Sequence, residues 1–195
     1  DESSKIKSDS SKTYSADALV DEVCRLNEKE GPHHAVSLTG GEPLMRSAFL
    51  ENFIPFLKSK GLTVYLETNG TLPQPLRKII SDCDIISMDI KLPSAMNGKN
   101  FYAAHKKFLQ IAIQKDVFVK VVITPQSTLE ELEHSVDLIA GVAPRVPLIL
   151  QPVTDASGIN REAFRRIQTL FFQKAARRLL DVRVIPQMHK VWGVR

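Results

Sequence analysis

The chain has 195 residues, 43% of them hydrophobic and 25% charged, with 26 lysines and arginines against 22 acidic residues and a formal net charge of +4. That length allows one domain with a real core, and so modest a basic excess does not by itself point to a nucleic-acid partner. No apolar run approaches the roughly 18 residues that a bilayer crossing takes, and the N-terminus has no charged-then-apolar leader pattern, so a soluble, cytoplasmic protein is expected.

Residues 1–13 are almost wholly polar and include one large aliphatic side chain, Ile6. Such a segment cannot bury enough surface to offset the entropy of ordering, so a disordered stretch over 1–14 and a single domain over 15–195 are expected. Ser15 is a plausible N-cap, and Leu19, Val23 and Leu26 repeat on one face of a helix running to about Glu30, which Gly31 and Pro32 end. Ala35 to Leu38 then reads as a buried strand, stopped abruptly by Thr39-Gly40-Gly41-Glu42-Pro43. Paired glycines let backbone approach a ligand closely, and Glu42 offers a carboxylate to a cationic group such as an amino-acid ammonium. A tight strand-to-helix turn with an exposed acid explains the same residues.

Ser47 to Lys60 is a second helix, in which Pro55 predicts a kink or an early break, and Gly61 closes it. Leu62 to Leu66 is a strand ending in Glu67-Thr68-Asn69-Gly70-Thr71, so an apolar run meets a polar cluster for the second time. Pro73 to Ser81 is a short helix, and Ile85 to Ile90 a strand carrying Asp89 and Lys91 at its end. A helix over Phe101 to Gln114 presents Phe101, His105, Phe108, Leu109 and Ala112 on one face, and the β-branched run Val117 to Ile123 suits a buried parallel strand. Ser127 and Glu130 are read as the capping box of a helix over Leu129 to Gly141, and Pro147 to Leu150 as a strand ending at Gln151. Asn160 is placed as the cap of a last helix reaching about Leu180, before a final strand over Val182 to Ile185.

Six apolar strands separated by amphipathic helices give an α/β fold with a mostly parallel sheet. Ligands of such sheets sit at the carboxyl ends of the strands, which here carry Thr39 to Glu42, Glu67 to Asn69, Asp89 and Lys91, Thr124 and Gln151. Cys24 and Cys83 are the two cysteines, so no CxxC or CxxxCxxC pattern can be written, and both are read as buried thiols rather than a disulfide. His33 and His34 read as loop residues, with metal contact the other reading. The basic last helix, with Arg161, Arg165, Arg166, Lys174, Arg177 and Arg178, reads as a solvated face that suits the helix dipole, and Trp192 as an anchor for the tail or a subunit contact.

The runs Thr39-Gly40-Gly41-Glu42-Pro43-Leu44, Leu66-Glu67-Thr68-Asn69-Gly70-Thr71, Asp89-Ile90-Lys91-Leu92-Pro93-Ser94 and Ile185-Pro186-Gln187-Met188-His189-Lys190 resemble radical S-adenosylmethionine enzymes. Within that superfamily they are most similar to the 7-carboxy-7-deazaguanine synthases of queuosine biosynthesis. The resemblance implies a partial (β/α)6-type barrel, in which a 4Fe-4S cluster reductively cleaves S-adenosylmethionine. The resulting radical starts the contraction of 6-carboxytetrahydropterin with loss of ammonia, assisted by Mg2+. By the same resemblance Gly40, Gly41 and Glu42 hold the methionyl amine, Asp89, Ile90 and Lys91 contact the ribose and carboxylate, and Gln151 contacts the adenosyl group. Asn69 belongs with these cofactor-binding residues, Thr39, Glu67 and His189 with the substrate, and a homodimer is expected.

The cluster-binding CxxxCxxC of the family and the threonine that follows it have no counterpart among these residues. The expectation is therefore a barrel missing its first strand and cluster loop, with no metal ligands in this chain, inactive on its own, and with an open sheet edge prone to poor solubility. Two other readings stay open: an activase that makes glycyl radicals, and a degenerate, non-catalytic domain that binds a nucleoside or a partner through the same mouth.

Overall fold

A computed structural model of the chain describes residues 14–153 and 161–188. Among the described residues six α-helices alternate with six strands: α1 (Ala16–Glu30), β1 (Val36–Leu38), α2 (Ser47–Ser59), β2 (Val64–Thr68), α3 (Pro73–Ile79), β3 (Ile85–Ile90), α4 (Tyr102–Ala112), β4 (Asp116–Ile123), α5 (Leu129–Val142), β5 (Leu148–Pro152), α6 (Arg161–Ala175) and β6 (Val182–Val184). The strands pair in the order β1-β2-β3-β4-β5-β6, and each pairing is parallel. Sequential order with parallel pairing forces each of the helices α2 to α6 to cross back over the sheet, and consecutive helices, α1 included, pack side by side as one layer on one face.

The pleat divides the strand residues between two environments. Val64, Leu66, Ile86, Met88, Ile90, Val119, Val121, Ile123, Leu148 and Leu150 point at the helices and are fully buried. There they meet Ile54 and Leu57 of α2, Phe108 and Leu109 of α4, and Leu132 and Ile139 of α5. The alternate residues of the same strands point to the other face, which is the inside of the partial barrel and is only half-buried along much of its length. Tyr65 and Phe118 stack there with ring centroids 6.3 Å apart. The β2 and β3 strands are also tied at their starts, where Asp84 accepts from the Val64 amide at 2.7 Å and from the Lys58 ammonium at 2.6 Å.

Several local expectations are corrected. Pro55 does not break α2: it lies on the exposed face, as does Glu51, the residue whose carbonyl loses its amide partner to the proline. The capping box of α5 is one residue later than expected: Thr128 accepts from the Glu131 amide and Glu131 from the Thr128 amide. Ser127 instead accepts from the Thr124 amide at 3.0 Å, closing the turn after β4. Helix α6 ends at Ala175 rather than near Leu180, and β2 begins at Val64 rather than Leu62 and extends through Glu67 and Thr68. Cys83 is buried as expected, but Cys24 is only half-buried. Asn160, His189 and Trp192 lie outside the described residues. Among the described residues no helix is long and apolar enough to cross a membrane.

Candidate functional site

The carboxyl end of β1 runs into two consecutive glycines with positive φ, Gly40 at 95° and Gly41 at 56°. Other residues adopt such conformations only with strain, and two in a row require glycine. A Cβ built on either glycine would meet nothing within 4 Å, so their positions are set by backbone conformation and not by crowding from within the chain. The turn is fixed by Glu42. Its carboxylate accepts from the Leu44 amide at 3.2 Å, from the Thr68 hydroxyl at 2.8 Å and from the Asn69 amide at 2.8 Å. One side chain thus caps the short 3-10 turn after β1 and fastens it to the end of β2.

Asn69 continues this network. Its side-chain oxygen accepts from the amide and hydroxyl of Thr71 at 3.0 and 2.6 Å, an Asx turn that reverses the chain after β2. Its carbonyl lies 3.1 Å from Nε2 of His105, a fully buried residue of α4. A carbonyl can only accept, so the imidazole donates from Nε2, and Nδ1 is buried without a partner. Burial lowers the His105 pKa to about 4, which keeps the ring neutral. Gly70, at a φ of 66°, packs so closely that a Cβ there would lie 2.7 Å from the Met88 methyl.

Below these loops a cavity of about 140 Å³ opens on the inner face of the sheet. Thr39 and Gly41 wall it from β1, Glu67 and Asn69 from β2, Ser87, Asp89 and Lys91 from β3, and Lys120 from β4. Glu67 accepts from the Ser37 hydroxyl at 3.2 Å, and Lys91 is paired with Asp89 at 2.5 Å. The second oxygen of Asp89 is buried and has no hydrogen-bond partner. Lys120 stands beside Asp89 in the β3–β4 register.

Thr39, Gly41, Glu67, Asn69, Asp89 and Lys91, all singled out from the sequence, are thus brought to one cavity. Gly40 and Glu42 face the neighbouring groove between α1 and α2. Gln151 is on the inner face but one strand beyond Lys120, outside the cavity wall, and the Ile90 side chain is buried under the helices, leaving only its backbone to meet a ligand. Ser87 and Lys120 are additions that the sequence reading missed. Ser87 follows from Asp89 by the two-residue pleat, and Lys120 is the charge that interrupts the apolar run of β4.

The model of the radical SAM superfamily matches residues 3–139. The chain belongs to that superfamily. A 7-carboxy-7-deazaguanine synthase of Geobacter sulfurreducens is 41% identical over 166 residues, which are 84% of this chain and 64% of that protein. One from Thermoplasma acidophilum is 32% identical over 164 residues, covering 84% of this chain and 69% of its own length, which places this radical SAM chain among the synthases of that name. The chain therefore spans somewhat under two thirds of the Geobacter relative. In structure it resembles a domain of a pyruvate-formate lyase-activating enzyme from Bacteroides vulgatus, with a TM-score of 0.62 over 78% of this chain and 99% of that one. At 15% identity that likeness shows the shared partial-barrel fold alone.

The residues present fit S-adenosylmethionine. A glycine turn open on its Cβ side and a buried carboxylate oxygen without a partner are what an ammonium and a ribose hydroxyl call for. They do not fit the superfamily's iron–sulfur cluster, nor the Mg2+ that the resemblance to the synthases implies. Cys24 lies on α1 and Cys83 just before β3, and among the described residues no group of three or more His, Cys, Asp or Glu side chains is placed to hold a metal ion.

Proposed function

We propose that the protein acts in forming 7-carboxy-7-deazaguanine, the product that the synthases it resembles are named for, from 6-carboxytetrahydropterin. The observation that carries this reading is the convergence of Gly41, Glu67, Asn69, Asp89 and Lys91 on one cavity in a chain so similar to those synthases. When bound, S-adenosylmethionine supplies the hydrogen-abstracting species. The residues of this chain bind and orient it. The carbonyl groups of the Gly40-Gly41 turn accept from the methionyl ammonium, and Glu42 keeps that turn in place through its bonds to Thr68 and Asn69. Asp89 accepts from a ribose hydroxyl through its free oxygen, while Lys91, held beside it, meets the methionyl carboxylate. Gln151 lies further along the same face, on the adenosyl side. Thr39 and Glu67 remain for the pterin, and His189 joins them. The cluster and Mg2+ need ligands other than Cys24 and Cys83.

In this reading residues 15–195 act as one domain of a cytoplasmic homodimer. The test has two parts. Equilibrium dialysis with labelled S-adenosylmethionine should show saturable binding that Asp89→Ala weakens about tenfold, the value of one charge-assisted hydrogen bond. Native mass spectrometry should show the protein holding 6-carboxytetrahydropterin or 7-carboxy-7-deazaguanine together with S-adenosylmethionine, a readout that does not need the cluster. Protein that binds the cofactor but neither the pterin nor the deazaguanine would refute the assignment.

A further inference from the structure

We infer that Lys120 is the anchor of a carboxylate-binding subsite on the floor of the mouth, taking the carboxylate of the small-molecule substrate; this deepens the substrate reading above and rests on it. Lys120 lies in β4, inside a six-stranded sheet, with Asp89 of β3 on one side in register and Ile149 of β5 on the other. Val119 and Val121 on either side of it are fully buried under the helices, which fixes the backbone and directs the lysine side chain into the barrel.

Every other charged group in the cavity wall has a partner within the chain. Lys91 pairs with Asp89, and Glu67 accepts from Ser37. Among the described residues Lys120 has no hydrogen bond and no ion pair, although its side chain is half-buried and lines the cavity. A cation drawn partly out of water without a counter-charge is costly, and an anion entering the cavity removes that cost with a charge-assisted bond.

The opposite wall sets the rest of the ligand. Glu67 stands two strands away on β2 and, with only the Ser37 hydroxyl on it, keeps most of its acceptor capacity for donors in the cavity. A molecule that satisfies both ends carries a carboxylate at one end and a row of N–H donors at the other. A carboxylated pterin or deazaguanine has that pattern, with its amino-pyrimidinone edge toward Glu67 and its carboxylate toward Lys120. The methionyl carboxylate of the cofactor is the other source of the same chemistry, and it is separated by experiment.

The experiment measures dissociation constants of the intact protein for three stable ligands: 7-carboxy-7-deazaguanine, 7-deazaguanine without the carboxylate, and S-adenosylmethionine. The wild type should prefer the carboxylated base by about tenfold or more. Lys120→Met should erase that preference, weakening the carboxylated base about 10–100-fold while leaving 7-deazaguanine and S-adenosylmethionine within about twofold. Lys120→Arg should keep most of it. If Lys120→Met fails to fold by circular dichroism, Lys120→Gln, which keeps a polar head, takes its place with the same expectation. Equal losses for both bases, or a loss confined to S-adenosylmethionine, would overturn the subsite. Wild-type protein that binds S-adenosylmethionine but neither base would instead overturn the substrate reading and the subsite with it.

Discussion

Replacing Glu42 tests the geometry of the glycine turn most directly. The carboxylate is the shared acceptor for the Leu44 amide, the Thr68 hydroxyl and the Asn69 amide, and Thr68 is only 4% exposed. Hydrogen bonds to a charged group contribute about 1.5–3 kcal/mol each, but three bonds on one carboxylate are not additive, and water can reach the mouth once the side chain is gone. Glu42→Ala should therefore destabilise the protein by about 3 kcal/mol, or about 6–12 °C in Tm for a chain of this size. Glu42→Gln keeps one acceptor oxygen but turns its NH2 toward groups that are themselves donors, so about half that loss is expected. Urea unfolding followed by circular dichroism measures both. Thr68→Val provides the internal control. Its own cost should shrink in the Glu42→Ala background, because the partner it lost is already absent. An unfolding free energy for Glu42→Ala within about 0.5 kcal/mol of wild type would refute the claim that this carboxylate holds the two loops together.

Three further perturbations probe the surroundings of the mouth. Burial depresses the folded-state pKa of His105 from 6.5 to about 4, so the unfolded chain binds more protons between those values. The resulting stabilisation is complete above about pH 6.5 and is lost as pH falls toward 4, amounting to about 3 kcal/mol; His105→Gln should flatten the stability profile in that window, and an unchanged slope would count against the burial argument. Gly70→Ala must hold a φ of 66° and place a methyl group 2.7 Å from Met88, so thermal unfolding should show a loss of about 2–4 kcal/mol. Burial pushes the Cys83 thiol up to about 12, whereas Cys24 is half-buried; a disulfide reagent at pH 8 should label Cys24 in the native protein and Cys83 only on unfolding.

The sheet was legible because its strands announce themselves twice, as apolar runs and as the places where those runs stop at glycine or a polar cluster. Ile85 to Ile90 was read to the residue, and the strand-end motifs foretold that Thr39, Glu67, Asn69 and Asp89 would share a mouth. Failures came where a residue's setting depends on contacts across the fold. Two overlapping box patterns, Ser127 with Glu130 and Thr128 with Glu131, are equivalent in sequence, and the second prevails because Ser127 is engaged by Thr124. Pro55 is harmless only because the helix turns it toward solvent, which depends on what α2 packs against. Glu42 fits two readings in sequence, an acid for a ligand and an exposed acid of a tight turn, and nothing local to it reveals that Thr68 and Asn69, twenty-six and twenty-seven residues on, share its oxygens.

Two kinds of polar group meet in the mouth, and the division between them has a physical logic. The groups that shape the walls, Glu42 and Asn69, are bonded to the chain itself, so the loops do not have to be ordered when a ligand arrives. The groups on the floor, the free oxygen of Asp89 and the ammonium of Lys120, lack partners among the described residues. An unmet buried acceptor costs about 1–3 kcal/mol, and that cost is returned in full to a ligand that carries a donor to the right place. Walls satisfied internally and a floor left unsatisfied give selectivity without flexibility. A ligand lacking the hydroxyl for Asp89 or the carboxylate for Lys120 leaves that cost in place. Satisfying Asp89 from within the chain tests this logic: Ser87→Asn would set an amide donor on the same face, two residues away along β3. If the second Asp89 oxygen is reserved for a ligand, that variant should be more stable than wild type in thermal unfolding and should bind S-adenosylmethionine more weakly. A variant no more stable, with undiminished cofactor affinity, would show that the oxygen is not held in reserve.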